Sequence, residues 1–181
     1  MADMMGRQVL FLAVDGFDAS AFLPLWQCFG NLNASLRIVS FNASDVINSM
    51  DGSVSTKSDM SFNEASVLGF SAIVVPDAKT AQSIMDNSDA MTILKNARDD
   101  NVPIIAIGDA ATALLAADIV NGLTVSAPDN MRDNVESVGA QFSSEPISAS
   151  ENVFTALESA DMQALCKMVS DYATMQSENA A

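Results

Sequence analysis

Apolar runs and helix-like stretches alternate along nearly the whole chain. Residues 8–14, Gln-Val-Leu-Phe-Leu-Ala-Val, are apolar at both odd and even positions and stop at Asp15-Gly16. A run apolar at both parities is a strand covered on both faces. Phe22, Leu25, Trp26 and Phe29 then recur at helical spacing behind Asp18, a ready N-cap, and Gly30-Asn31 is expected to stop that helix. The spacing marks Phe22, Trp26 and Phe29 as core residues.

Residues 36–41 read as a second strand. Asp51-Gly52 is a hairpin signal between short strands at 46–50 and 54–57. Ser61-Phe62-Asn63-Glu64 has the form of a capping box and predicts a short helix through about Val67. Residues 72–75 form another buried strand ended by Pro76, and residues 80–85 and 89–100 read as helical. Residues 103–107 are the next apolar strand, with Asp109 expected to cap an Ala- and Leu-rich helix reaching about Ile119. A short strand at 123–126, a short helix at 131–138, strands within 141–150 and at 153–155, and an amphipathic helix at 160–175 complete the order.

Strands alternating with helices predict an α/β fold, a three-layer sandwich around a mostly parallel central sheet. No repeat, linker or composition break divides the chain, so residues 1–181 are read as one domain, with its core at about 8–172 and a polar, frayed tail at 176–181.

Charge narrows the partners. Asp and Glu number 23 against 8 Lys and Arg, giving a net charge of -15. Phosphate backbones and anionic membranes need clustered bases, so neither nucleic acid nor a membrane surface is expected as a partner. Histidine is absent, which removes imidazole general bases and the commonest metal ligand. Cys28 and Cys166 both fall in apolar, helix-like stretches and read first as small buried hydrophobes, with a single disulfide or a reactive thiol as alternatives. The start of the chain has no secretory pattern, and a cytoplasmic location is expected.

Right-handed crossovers bring the ends of parallel strands to one sheet edge, where such folds bind ligands. That edge should carry Asp15, Gly16, Phe17 and Asp18, then Asp77 and Ala78, then Gly108 and Asp109. A dinucleotide fingerprint, a P-loop, a flavodoxin-type phosphate loop and the elbow G-x-S-x-G are all missing. A phosphorylation receiver is excluded too, since no Lys or Thr follows the strands ending at Ile107 and Ser126 as receivers require. No cofactor is expected. The one metal reading open to these residues is Mg²⁺ or Ca²⁺ held by converging carboxylates from Asp15, Asp18, Asp77 and Asp109.

The ordered set from Val9-Leu10-Phe11-Leu12-Ala13-Val14-Asp15-Gly16-Phe17-Asp18 through Asp51-Gly52, residues 72–76, residues 102–109 with the Ala-rich helix, Asn121-Gly122 and residues 125–128 resembles the ThiJ/PfpI superfamily, relatives of class I glutamine amidotransferases. The resemblance covers Gln8 to about Tyr172. It implies a flavodoxin-like sandwich, usually a homodimer, with a cysteine nucleophile at a strand-to-helix elbow after an Ala-Ile pair. Here Ala106-Ile107 is followed by Gly108 and Asp109. The acidic partner from the first helix falls at Ala21, the Pro-Gly-Gly loop reads Pro76-Asp77-Ala78, and the histidine before a proline maps to Ala127. The late Ser-Arg-Gly-Pro turn reads Ala156-Leu157-Glu158-Ser159.

Five departures together remove the superfamily's thiol chemistry. The sequence is therefore read as a non-catalytic relative that binds a small molecule or a protein. The rival reading is a glyoxalase, deglycase, amidase or peptidase of the same superfamily that works through carboxylates or a metal.

Overall fold

The structure is a computed structural model that describes residues 2–179. In chain order its elements are β1 (Gln8–Leu12), α1 (Ala19–Asn31), β2 (Ser35–Ser40), β3 (Val46–Asn48), β4 (Ser55–Lys57), β5 (Met60–Ser61), β6 (Phe70–Val75), α2 (Ala78–Ile84) and α3 (Ser88–Asp99). They continue with β7 (Ile104–Ile107), α4 (Ala111–Ala116), β8 (Thr124–Ser126), α5 (Arg132–Ser137), β9 (Gln141–Ser143), β10 (Ile147–Ser150), β11 (Val153–Ala156) and α6 (Met162–Asn179). The central sheet has seven strands in the order β10-β11-β7-β6-β1-β2-β5, parallel except for β10. This is the predicted flavodoxin-like α/β sandwich.

Alternation within the central strands builds two cores. Val9 and Phe11 of β1, Ala72 and Val74 of β6, and Ile105 and Ile107 of β7 face the layer formed by α1 and α6. Leu10, Leu12, Ile73, Val75, Ile104 and Ala106 face the layer formed by α2, α3, α4 and α5. Both parities are buried, which is why these strands read as unbroken apolar runs. Phe11 anchors the first layer through edge or tilted contacts with Phe22, Trp26 and Phe29, so the aromatic row on α1 is core as predicted.

Asp18 caps α1 as expected, accepting from the Ser20 N–H at 2.8 Å. The helix runs past Gly30 to Asn31, and the chain turns at Asn33, whose φ is 63°. The hairpin forms at Asp51-Gly52 with β3 antiparallel to β4. Half of the capping box forms, the Glu64 carboxylate accepting from the Ser61 N–H, but the Glu64 N–H bonds the Ser61 carbonyl and not its hydroxyl; one turn closes and no helix follows. Ser61 already belongs to β5, and the chain turns into β6 only nine residues later.

Three further expectations change. The stretch 141–150 splits into β9, paired with β8 outside the main sheet, and β10 on its edge. Asp109 does not cap α4: residues Gly108–Ala110 form a tight 3₁₀ turn with Asp109 inside it, so its side chain is not at the flanking position a cap requires. The tail is helical to Asn179, while the expected fraying of residues 180 and 181 lies outside the described residues.

No helix among the described residues is long and apolar enough to cross a membrane. Away from the strand ends, the amide of buried Asn152 donates to the carbonyls of Ala97, Arg98 and Val102 and accepts from the Arg98 guanidinium. Arg98 also pairs with Glu151, so this side of the sheet is tied by one polar hub.

Candidate functional site

Strand β1 lies between β2 and β6. The chain leaves β1 toward β2 on one side and reaches β6 only later on the other, so the β1/β6 boundary is the topological switch point. Loops leaving adjacent strands in opposite directions open a crevice there. The loop after β1 supplies Gly16 and Asp18, the loop after β6 supplies Asp77 and Ala78, and Ala21 rises from the first turn of α1.

The crevice has two adjoining lobes that share Asp18, Ala21 and Glu158. One, about 290 Å³, runs between α1 and α6 and is lined also by Pro24, Ile107 and Met162. The other, about 210 Å³, lies over Asp77 and Ala78 with Lys79 and Met50 at its rim. A larger groove of about 610 Å³ lies beside Arg98, Asp118 and Asn121. It is remote from the strand ends described above, and Arg98 within it is already held by Ile119, Asn152 and Glu151.

Asp77 is the one buried carboxylate among the described residues, with 3% of its surface exposed. Its Oδ2 accepts from the N–H of Asp18 at 3.2 Å and from the N–H of Thr80 at 3.3 Å, so one side chain ties the start of α1 to the start of α2. Burial pushes its carboxyl above the usual carboxylate range. The Thr80 side chain and the two N–H groups pull the other way, and the charge of Asp18 adds to the rise. Asp77 Oδ1 and Thr80 Oγ1 have no partner that meets hydrogen-bond geometry.

The elbow after β7 keeps its bend without its nucleophile. Gly108 has φ 57°, in the left-handed region that side chains avoid. A Cβ placed there would meet Glu158 Cγ at 2.9 Å and Oε1 at 3.1 Å. Glu158 follows β11, whose pairing with β7 aligns Ala156 with Ile107 and brings the two turns side by side. In the sequence Glu158 stands only within the departed turn 156–159. The signal that places it is strand pairing, which no local motif encodes.

The structure therefore brings Asp18, Ala21, Asp77 and Ala78 to one crevice with Ile107 and Glu158, while buried Gly108 lies behind Glu158 and does not line it. Asp15, Asp109 and Ala127 do not line it. Asp15 is exposed and accepts from the Asn48 N–H at 2.9 Å, bracing the hairpin instead. Asp109 is held in its tight turn. Ala127 is buried beyond β8, its N–H donating to Ser143.

Among the described residues no group of three or more acidic or cysteine side chains is arranged to hold a metal ion. Of the four candidates, Asp18 and Asp77 share the crevice, the Asp18 N–H donating to Asp77, while Asp15 accepts from the Asn48 N–H and Asp109 sits in its own tight turn. The cysteines also depart from the first expectation. Cys28 on α1 and Cys166 on α6 form a disulfide, with Cα atoms 6.5 Å apart. They are well separated in sequence but meet because α1 and α6 pack together on the same face of the sheet.

A sequence profile of the DJ-1/PfpI family matches residues 7–171. An uncharacterised protein of Archaeoglobus fulgidus is 23% identical over 88% of this chain and 94% of its own length. A deglycase of Thermococcus kodakarensis is 25% identical over 75% of this chain and 80% of its own. A protein/nucleic acid deglycase of Escherichia coli is 21% identical over 76% and 80%. Among solved structures, a ThiJ/PfpI domain protein from Brachyspira murdochii superposes with a TM-score of 0.84 at 16% identity, over 94% of this chain and 98% of that one. DJ-1beta of Drosophila melanogaster gives 0.76 at 14% identity, over 97% and 90%. A two-domain protein from Anabaena variabilis that joins a DJ-1/ThiJ/PfpI-like domain to a ferritin-like domain gives 0.85 at 16% identity, and this chain spans 47% of its length.

Proposed function

The chain belongs to the DJ-1/PfpI family, and from that starting point we propose that it is a member without thiol catalysis, whose crevice at the β1/β6 switch point binds a small ligand or a partner protein. One observation carries this reading. The position that would hold the nucleophile is Gly108, and the space its side chain would need is taken by Glu158. Neither cysteine can substitute, because both are buried within α1 and α6, away from the elbow after β7. With no histidine in the sequence, no imidazole can activate another nucleophile.

The residues proposed to shape the ligand space are Asp18, Ala21, Asp77, Ala78 and Glu158, with Ile107, Pro24 and Met162 as its apolar part. A homodimer in a cytoplasmic setting belongs to the same reading, and light scattering near twice 19.0 kDa is its check.

A carboxylate-based enzyme is the second reading. Two of the relatives are named deglycases, and Asp77 is a buried carboxyl held high in its titration beside Asp18. Such a group is a plausible general acid in chemical terms. The deciding experiment is turnover of methylglyoxal and simple amides by the purified chain, with Glu158→Gln and Asp77→Asn alongside. The binding reading expects no rate above the blank for any of the three. Turnover in the wild type that disappears in either variant overturns it in favour of the enzyme.

A further inference from the structure

The two walls of the larger lobe are the helices that the disulfide joins. Pro24 and Cys28 are four residues apart on α1, and Met162 and Cys166 are four apart on α6. Residues at that spacing share a helix face, one turn apart. Pro24 and Met162 both line the lobe, so the bond sits one turn beneath it on both sides at once.

We propose that Cys28–Cys166 is a redox switch that sets the separation of these walls. The closing step is the oxidation of two thiols. The opening step is exchange with an external dithiol, which reaches the buried bond when α1 and α6 separate locally: the S–S bond breaks, the two sulfurs take up two electrons and two protons as thiols, and the dithiol closes to its own disulfide.

Opening the bond removes a covalent tie between α1 and α6. Cys28 and Cys166 are 1% and 0% exposed, in the same buried cluster as Phe29, Phe154, Leu165 and Val169, so a change at either sulfur is passed to close-packed neighbours. Pro24 eases the response, because it lacks the N–H that would bond the Ser20 carbonyl and so loosens the first turn of α1 from the rest. In the reduced state the helices part and the lobe widens.

Position also argues for a switch over a permanent staple. The pair is the chain's whole complement of cysteine, and it spans the site. In reducing compartments, disulfides that do form are mostly transient or redox-sensing.

The test needs no ligand, so it succeeds or fails separately from the binding role. Hydrogen exchange read by mass spectrometry is compared for the oxidised full chain, the chain under excess dithiothreitol, and Cys28→Ser/Cys166→Ser. Residues 19–24 and 158–166 are expected to exchange several-fold faster in the reduced chain, while residues 88–99 on the opposite layer are unchanged. The double variant is expected to match the reduced pattern and to ignore dithiothreitol. A bond that resists dithiothreitol in the folded chain makes it a staple and overturns the proposal. So does a bond that opens while both wall segments exchange as before. Should the double variant not fold, the two redox states of the wild type decide alone.

Discussion

Glu158 stands where a side chain at position 108 would have to go: a Cβ on Gly108 would lie 2.9 Å from Glu158 Cγ, inside any real contact distance. The two residues come from turns after neighbouring strands, β7 and β11, so sheet pairing brings them together, and the exposed Glu158 side chain would have to turn aside to admit one at position 108.

It follows that restoring a thiol should not restore chemistry. Gly108→Cys places a side chain at φ 57° and against Glu158. The strain is expected to cost about 1–3 kcal/mol in chemical denaturation. Gly108→Cys/Glu158→Ala should recover part of that loss by removing the crowding. Neither variant is expected to consume methylglyoxal, since no histidine stands ready to activate the sulfur.

Asp77 should give an unusual pH signature. Its carboxyl is raised in the folded chain by burial, so folding favours its protonated form. Its contribution is fully present at low pH and is lost as pH rises through the raised value. Relative to Asp77→Asn, the wild type should therefore lose stability as pH climbs from the acid side through the carboxylate range and beyond. Parallel urea melts across that range provide the check, and equal slopes for both proteins would contradict it.

The hairpin beside the crevice should behave in the opposite sense. Ser49, the Ser53 N–H and the Ser53 hydroxyl all donate to Asp51, lowering its pKa to about 2. Support from Asp51 is present above the ordinary carboxylate value and fades as pH falls toward about 2. Asp51→Ala should speed amide exchange in residues 46–57 at neutral pH, and acid should abolish the difference between variant and wild type.

At the polar hub, Asn152→Ala removes a buried amide and leaves the carbonyls of Ala97, Arg98 and Val102 without that donor. The Ala97 carbonyl keeps the Val102 N–H and the Arg98 carbonyl keeps that of Asn101, so the Val102 carbonyl bears most of the loss, and about 1–3 kcal/mol is expected in urea unfolding. Asn152→Asp should fare no better, because its carboxylate would present no donor to these carbonyls.

Millimolar Mg²⁺ or Ca²⁺ should leave the melting temperature unchanged. Among the described residues no three acidic side chains are arranged to share an ion, and the Asp77 carboxylate already accepts from the Asp18 and Thr80 N–H groups. A shift of several degrees that Asp77→Asn removes would reverse this conclusion.

The fold was legible because burial on both faces leaves a strong mark. Residues 8–14, 72–75 and 103–107 could hardly be anything but central strands, and Asp18 sat where α1 needed a cap. The elbow was legible too, since Ala106-Ile107-Gly108 marks the end of β7. What escaped depended on distant chain segments meeting. The Cys28–Cys166 pair, 138 residues apart, has no local signature, and each cysteine alone looks like a small apolar residue. Glu158 escaped for the same reason. Asp109 misled because a 3₁₀ turn takes up the position where a cap would otherwise stand.

One border of the central sheet is a strand of only two residues, Met60–Ser61, while the opposite border runs antiparallel to its neighbour. A rim this short offers an incoming chain very few open backbone groups to zip onto. Backbone-templated growth through that side is thus limited to the stretch of β2 before Val39, which β5 does not reach.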